Sequence, residues 1–325
     1  MAIRADESID RRRLRRKLTF WRVAALVIAA LAIVAGSMWL AGDELGKTAS
    51  DHIAKVKIEG TIAEDDELIE RLEEIRKSSV VKGVILSIDS PGGTTAGGES
   101  IYDEIRLLAA DKPVVAQVGT LAASAGYMIA SATDHIVARK SSIVGSIGVL
   151  IQFPDVTGLM DKLGVKLEEV KSSPLKAEPS PFNPTTDEER AMVRKLILDS
   201  YDWFVGIVDE RRPLNHAEVM ALADGSIFTG RQALSNKLID ALGGEREAID
   251  WLATKGVDPK LKVIEWKSEK SGSSFLFSNA LAKAVANWLG LPGYDADLIK
   301  ELGGDRIFLD GLLSLWHPDG KIWGD

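Results

Sequence analysis

The chain has 325 residues, of which 46% are hydrophobic, and a formal net charge of −8, with 40 Lys and Arg against 48 Asp and Glu. It contains no cysteine and only four histidines. This excludes disulfide scaffolds, Cys-ligated zinc, iron–sulfur clusters and cysteine nucleophiles, and leaves few ligands for any metal. The composition is too apolar for a disordered chain. The acidic balance argues against nucleic acid as the main partner, because proteins that bind it usually carry a basic surface.

The first 41 residues have the pattern of a membrane anchor. Residues 1–22 carry eight basic and three acidic side chains, a balance of +5, so residues 23–325 carry −13. Residues 23–41 form a run of 19 residues without a charge. A helix of that length is about 28 Å long, close to the roughly 30 Å of a bilayer core. We therefore expect a transmembrane helix over 23–41, with Trp21 and Trp39 at its interfaces.

Two other interpretations of this run stay open. Ala35, Gly36 and Ser37 offer small residues for signal-peptide cleavage, although the run is longer than the usual apolar region of about 7 to 15 residues. A buried core helix is the weaker alternative, since nothing that flanks the run resembles a domain. We prefer an uncleaved anchor.

The charges around the run predict its orientation. Six Arg or Lys lie between Arg11 and Lys17, while Asp43 and Glu44 follow the run. The positive-inside rule then places residues 1–22 in the cytoplasm and the rest outside. We expect a single-pass protein of a bacterial inner membrane with a periplasmic domain over residues 42–267. The basic segment is also suited to contact anionic lipid.

From Ile53 onward, short β-rich runs alternate with amphipathic helical stretches, as βα units do. The predicted strands are 53–58, 84–88, 114–118, 136–138 and 147–151, and the predicted helices are 65–77, 98–110 and 123–132. Ser90–Gly93 is predicted to be a turn after the second strand. This order predicts an α/β domain with right-handed crossover connections.

The second half of the chain begins with an irregular segment. Residues 172–184 hold four of the eleven prolines, which predicts a linker or a functional loop. Thr186 and Glu189 have the spacing of a capping box at the start of a long helix. Residues 230–240 are predicted to form a short helix that runs into a strand. The chain turns polar near Ser268, so we place a boundary there and expect the extension 268–325 to contact membrane or other subunits.

The glycine-rich segment Gly92–Gly98 first suggests phosphate binding. It lacks the GK[ST] ending of a P-loop and does not match GxGxxG, so nucleotide binding is disfavoured. Two adjacent glycines also let a backbone approach a ligand closely and donate N–H groups to it. An oxyanion hole needs such donors. Taken alone, however, the segment is better explained by structure than by catalysis.

Ser124 is the candidate nucleophile, because it lies between a predicted strand and a helix N-terminus, where free amides favour a developing anion. Its segment is a near miss to the G-x-S-x-G elbow, with Ala122 at the first glycine. Taken alone, Ser124 is better explained as an N-cap than as a nucleophile. None of the four histidines has the Asp-oriented setting of a general base. Lysine is the other base that serves serine, if burial leaves its amine neutral. Lys176 in the Pro-rich loop is a candidate that composition does not distinguish from other lysines.

Four segments together resemble the signal peptide peptidase A family of membrane-anchored Ser-Lys peptidases, within the Clp protease and crotonase fold superfamily. In family order they are Asp89–Gly93 (DSPGG), Ala123–Tyr127 (ASAGY), Gly145–Val149 (GSIGV) and Lys171–Lys176 (KSSPLK). With residues 230–240, the resemblance covers roughly residues 52–252. It implies an α/β fold of repeated ββα units in a spiral, preceded by one transmembrane helix.

The resemblance also implies a role for each matching residue. Ser124 is then the nucleophile and Lys176 the general base, while Ser146 orients the lysine amine. The backbone N–H groups of Gly93 and Ala125 form the oxyanion hole.

Two positions depart from the family pattern. Ala125 stands where glycine usually follows the nucleophile, and Lys237 stands where glycine commonly precedes a Leu-Ile-Asp run. The donor at Ala125 survives the replacement if φ is negative there. The departure at Lys237 concerns a turn and not the site.

The activity that the resemblance implies is a serine endopeptidase that digests hydrophobic peptides, notably cleaved signal peptides. It would need no cofactor or metal, bind no nucleic acid and assemble as a homo-oligomer. Two alternatives stay open: an acyl-CoA hydratase or isomerase of the same fold, and a catalytically inactive membrane scaffold. The Ser124 and Lys176 pair and the anchor argue against the hydratase.

Overall fold

The structure, a computed structural model, describes residues 50–267, the backbone of 313–315 and the single residues Trp21 and Ile28. Its contacts divide the chain into two units, residues 1–50 and residues 51–325. Apart from Trp21 and Ile28, the predicted basic segment and the anchor therefore lie outside the described residues, as does most of the extension 268–325. Among the residues that are described, no helix is both long and apolar enough to cross a bilayer.

The second unit is built around a mixed nine-stranded sheet. Its strands are β1 (His52–Ile62), β2 (Val81–Thr94), β3 (Val114–Ala123), β4 (His135–Ala138), β5 (Ile143–Gly145), β6 (Ile227–Thr229), β7 (Ala241–Leu242), β8 (Val263–Glu265) and β9 (Leu313–Leu315). The main path runs β6-β5-β3-β2-β1-β8, with β4 and β7 branching from β3 and with β9 on β2. All pairings are parallel except β5 with β6 and β2 with β9.

Eight helices connect the strands within residues 50–267. They are α1 (Asp66–Lys77), α2 (Thr95–Asp111), α3 (Ala125–Ser131), α4 (Thr157–Leu163), α5 (Asp187–Arg211), α6 (His216–Leu222), α7 (Gly230–Ser235) and α8 (Glu245–Thr254). Helices α1, α2 and α3 are the crossovers that return the chain to parallel strands. Thr186 caps α5 through the predicted capping box with Glu189.

The central strands contain continuous apolar runs, such as 84–86 of β2 and 114–116 of β3, because both faces of the sheet are covered. On β2, Val84, Leu86 and Ile88 belong to the large core under α1, α2 and α5, while Ile85 faces a smaller core with Leu252 of α8. A strand alternates its side chains between faces, so a continuous apolar run is the expected sequence of a doubly covered parallel strand. This explains why the short apolar runs predicted these strands correctly.

Two predicted elements are wrong. Ser90–Gly93 is not a turn but the end of β2, because β1 continues to pair with it beyond a bulge, with Thr61 opposite Gly92 and Ile62 opposite Gly93. Residues 147–151 are not a strand. The pairing with β3 ends at Gly145, and Ser146 then takes a positive φ of 54° that turns the backbone out of the sheet. The apolar Ile147 that suggested a strand is instead buried in the large core.

β3 has two successive partners along one edge. Its first half pairs with β4 through Val115–Val118, and its end pairs with β5 through Leu121–Ala123. Its other edge pairs with β2, where Ser90 lies opposite Ala122. The ends of β2, β3 and β5 therefore meet, and the predicted site segments lie where they meet.

Candidate active site

Ser124 lies at the junction of β3 and α3 with a strained backbone. Its φ of 55° and ψ of −122° are unusual for a residue with a side chain, and it is only 1% exposed. Its N–H donates to Gly145 O at 2.8 Å, and its carbonyl accepts from Tyr127 N and Met128 N at 2.9 Å each. Such strain costs on the order of 1–3 kcal/mol and persists only where the surroundings enforce it. A strained strand-to-helix turn is also how the nucleophile elbow presents its serine.

The helix that follows Ser124 is held against β2 and the end of α7. A Cβ on Gly126 would lie 2.9 Å from the Ser90 carbonyl oxygen, so only glycine allows α3 to approach β2 this closely. The buried Tyr127 hydroxyl donates to Leu238 O at 2.9 Å. Burial raises the pKa of Tyr127, which keeps its hydroxyl neutral and able to donate. These contacts fix the direction in which α3 presents its first turn.

The end of β2 is fixed by its own side chains. Ser90 Oγ donates to Gly60 O at 2.6 Å and accepts from Gly92 N at 3.1 Å. Asp89 Oδ1 accepts from Leu121 N at 3.1 Å, which ties β2 to the end of β3. Asp89 and Ser90 stood in the predicted motif, but nothing local in the sequence revealed these distant partners.

Glycine is required at positions 92 and 93, at the end of β2, for two different reasons. Gly92 has a φ of 106°, which a side chain would strain. A Cβ on Gly93 would lie 1.8 Å from Ile62 O, so the chain there leaves no room for any side chain. The close approach is therefore to β1, and the glycines fix the backbone shape of this segment.

The backbone of Ala125 has the negative φ that its predicted role as an N–H donor requires. Among the described residues, the non-glycine positions with positive φ are Ser124, Ser146, Ala177 and Lys237, so Ala125 has a negative φ and is unstrained. It is the first residue of α3, and the first N–H groups of a helix have no intrahelical acceptor. Lys237 has a φ of 58°, which explains why glycine suits that turn.

Ser146 lies beside Ser124. Gly145 pairs with Ala123 across β5 and β3 and accepts the N–H of Ser124, so the two serines follow adjacent paired residues. Ser146 is 9% exposed, and its N–H donates to Ser226 O at 2.8 Å. Both serines leave the sheet with positive φ, which turns the two segments at the same level.

Lys176 is placed differently from the serines. It is exposed in a loop without helix or strand, and its N–H donates to Ser173 O at 3.2 Å. Across residues 50–267 its amine makes no hydrogen bond or ion pair, so the structure does not join it to Ser124. The other lysine of this loop, Lys171, pairs with Glu169 and Glu178.

A strand from the far end of the chain lies on the glycine segment. Leu313–Leu315 pairs antiparallel with β2, with Leu315 opposite Gly92, Ser314 opposite Gly93 and Leu313 opposite Thr94. The edge of β2 next to Ser124 therefore accepts an extended peptide segment through its backbone. Sequence reasoning missed this contact, because it joins residues more than 200 positions apart.

Three histidines have contacts that involve none of the predicted site residues. His52 accepts from Trp266 Nε1 at 3.1 Å, His135 stacks on Trp251 with ring centroids 5.0 Å apart, and His216 Nδ1 lies 2.6 Å from Asp209 Oδ2. Burial lowers the pKa of His135, although the Asp240 carboxylate acts in the opposite direction. His317 lies outside the described residues.

Comparison with known proteins agrees with this architecture. The family model of peptidase family S49 matches residues 106–258, and the Clp protease model matches residues 50–144. The chain is 32% identical over 300 residues to a putative signal peptide peptidase SppA of Enterococcus faecium, an alignment that covers 88% of this chain and 86% of that protein. It is 35% identical over 232 residues to a putative protease of Methanocaldococcus jannaschii, covering 71% of this chain and 75% of the relative.

A third relative is protease 4 of Haemophilus influenzae, 34% identical over 272 residues, with 78% of this chain and 44% of the relative covered. The chain covers more than two thirds of each of the first two relatives, and both family models fall on the sheet that carries Ser124. The chain belongs to peptidase family S49 and is a serine peptidase.

Proposed function

We propose that the chain is a Ser-Lys endopeptidase that cleaves hydrophobic peptides, including cleaved signal peptides, with Ser124 as nucleophile and Lys176 as general base. The observation that carries the proposal is the strained backbone of Ser124, with φ 55° and ψ −122°, at a buried strand-to-helix junction. Strain of this kind has no benefit for a plain N-cap, and the Ser124 side chain makes no capping hydrogen bond.

The reaction is acyl transfer. The neutral amine of Lys176 takes the hydroxyl proton of Ser124 as Oγ attacks the peptide carbonyl, and the N–H groups of Gly93 and Ala125 stabilise the oxyanion. The lysine then gives that proton to the leaving amine as the C–N bond breaks. In deacylation it takes a proton from water, whose oxygen attacks the acyl-enzyme, and returns the proton to Ser124. Ser146 orients the lysine amine during these steps.

The electrostatics of the loop favour Lys176 over Lys171 as the base. Hydrogen bonds to Glu169 and then to Glu178 raise the pKa of Lys171, so its amine stays protonated and cannot accept a proton. Lys176 makes no ion pair within residues 50–267. For the dyad to work, the loop must bring Lys176 to Ser124 when a peptide binds or when subunits assemble.

Two observations support the proposed substrate class. The pairing of Leu313–Leu315 with Gly92–Thr94 supports binding of an extended substrate as an antiparallel strand, in which backbone hydrogen bonds supply affinity and leave the side chains free. The name of the Enterococcus faecium relative, a putative signal peptide peptidase, supports signal peptides as substrates.

The proposal also includes the setting of the enzyme. Residues 23–41 anchor it in the inner membrane, with residues 1–22 in the cytoplasm against lipid and the ββα spiral of the peptidase domain in the periplasm. A homo-oligomer is supported by apolar side chains that residues 150–200 leave exposed. They include Leu159, Leu163, Val165, Val170, Phe182 and Leu196. Exposed apolar side chains that cluster in one part of a surface mark sites of contact with other proteins or with membrane.

Hydrolysis of an internally quenched apolar peptide by the full chain tests the proposal. Ser124→Ala and Lys176→Ala should each lower kcat by several orders of magnitude, because nucleophile and base act as a unit. Ser131→Ala is the matched control, since this buried serine lies in the same helix and donates only to Tyr127 O. Equal turnover in the wild type and all three variants would refute the Ser-Lys dyad. Turnover of a CoA thioester that survives both site changes would favour the hydratase.

A further inference from the structure

Three charged side chains in the loop that carries Lys176 form a cluster. The Lys171 amine pairs with both Glu169 and Glu178, and these are the charged groups that face it among the described residues. Glu178 Oε2 also accepts from Ser180 N at 2.7 Å. The Glu178 side chain is 6% exposed and that of Lys171 is 19% exposed. One ammonium group therefore holds two carboxylates in a partly water-shielded place.

Lys176 lies within reach of the Glu178 carboxylate. It is two residues before Glu178, so their Cα atoms are at most about 7 Å apart, less than a lysine and a glutamate side chain together can span. Glu178 N donates to Leu175 O at 3.4 Å, which turns the chain back at this point. Yet the Lys176 amine makes no ion pair in the described structure. The carboxylate next to it in sequence is already occupied by Lys171.

We propose that Lys171 is a positioning residue that occupies the carboxylates of Glu169 and Glu178 and so keeps the Lys176 amine unpaired for Ser124. The inference rests on the proposed function, in which Lys176 is the general base. Its physical reason is that a carboxylate within about 4–6 Å of an amine favours the protonated form, which cannot accept a proton. The hydrogen bond from Lys171 lowers the pKa of Glu178, so this carboxylate is charged and would attract any free amine nearby.

Removal of the Lys171 amine should release Glu178 to pair with Lys176. We expect Lys171→Met in the full chain to lower kcat/KM for the quenched apolar peptide at pH 7 by about 10- to 1000-fold, the range that a new opposite charge produces. The loss should fall on kcat, leave KM nearly unchanged and shrink as the pH is raised towards 10. Lys166→Met is the matched control, because Lys166 is an exposed lysine of the same segment, and it should behave as the wild type.

A second change separates this role from simple support of the loop. Lys171→Met combined with Glu178→Gln should regain at least about tenfold of the lost kcat/KM at pH 7, because the competing carboxylate is gone. Lys171→Arg, which keeps the charge, should stay close to wild type. If the double variant is as impaired as Lys171→Met, or if the loss is the same at every pH, the proposal is overturned.

Lys176→Ala, measured in parallel, distinguishes failure of the Ser124 and Lys176 dyad from failure of the role of Lys171. Full activity of Lys176→Ala would refute the proposed function itself. An inactive Lys176→Ala together with a fully active Lys171→Met would leave the dyad in place and overturn only the role of Lys171.

Discussion

The strain at Ser124 leads to a prediction about stability. Ser124→Gly and Ser124→Ala both remove the hydroxyl and should both abolish hydrolysis, but only glycine adopts φ 55° and ψ −122° without cost. Relief of the strain contributes about 1–3 kcal/mol, and the greater freedom of glycine in the unfolded chain offsets about 0.5–1 kcal/mol of it. The midpoints of the two ranges predict that Ser124→Gly is more stable than Ser124→Ala by about 1 kcal/mol.

Urea unfolding monitored by tryptophan fluorescence measures this difference. A gain of about 1 kcal/mol corresponds to roughly 2–4 °C in Tm for a domain of this size. Ser131→Gly against Ser131→Ala is the matched control. Ser131 is helical, so there glycine should be the less stable of the two by about 1 kcal/mol. Equal stability of the two Ser124 variants would mean that the backbone is not strained and would remove the main support for an elbow.

Three further predictions concern the ion pair, the buried histidine and the bound tail. Arg212→Met should cost about 3 kcal/mol of unfolding free energy, the low end for a buried pair, because the buried guanidinium pairs bidentately with the partly exposed Asp240 at 2.8 and 3.1 Å. Arg211→Met removes bonds to carbonyls only and should cost about 1 kcal/mol. Equal losses would contradict the role of the pair. Burial lowers the pKa of His135 below its ordinary 6.5, so the unfolded chain binds a proton before the folded one as the pH drops. The free energy of unfolding should therefore fall below about pH 6.5. His135→Gln should flatten this dependence of stability on pH in urea titrations, and an unchanged dependence would refute the prediction. Deletion of residues 305–325 removes β9, which occupies the edge of β2 proposed for substrate. It should raise kcat/KM for a peptide about tenfold, the factor for a strand contact worth about 1.4 kcal/mol. An unchanged kcat/KM would mean that β9 does not compete with substrate.

Much of the fold could be predicted because its signals are local. The apolar runs of β2 and β3 reflect burial on both faces, and the capping box of Thr186 and Glu189 marks the start of α5. The end of β2 could not be predicted in the same way. Gly92 and Gly93 have the composition of a turn, but their pairing with Thr61 and Ile62 of β1, and with β9 on the other edge, keeps them in the sheet.

The candidate site could likewise be predicted only in part. The segments around Ser124 and Ser146 were found from their motifs, and the structure places them side by side through Gly145. The partners that fix them were not found, since Asp89 contacts Leu121 across 32 positions. The ion pair of Lys171 with Glu178 spans only seven residues, but a charged loop has no periodicity that shows which charges pair.

Covalent labelling of the nucleophile tests the central claim most directly. The full chain would be treated with an apolar fluorophosphonate, which reacts with activated serines, and the adduct located by mass spectrometry of its peptides. The account predicts one adduct, on Ser124, which Lys176→Ala slows by at least about 100-fold and Lys166→Ala leaves unchanged. An adduct on another serine, or labelling of Lys176→Ala at the wild-type rate, would contradict the Ser-Lys peptidase.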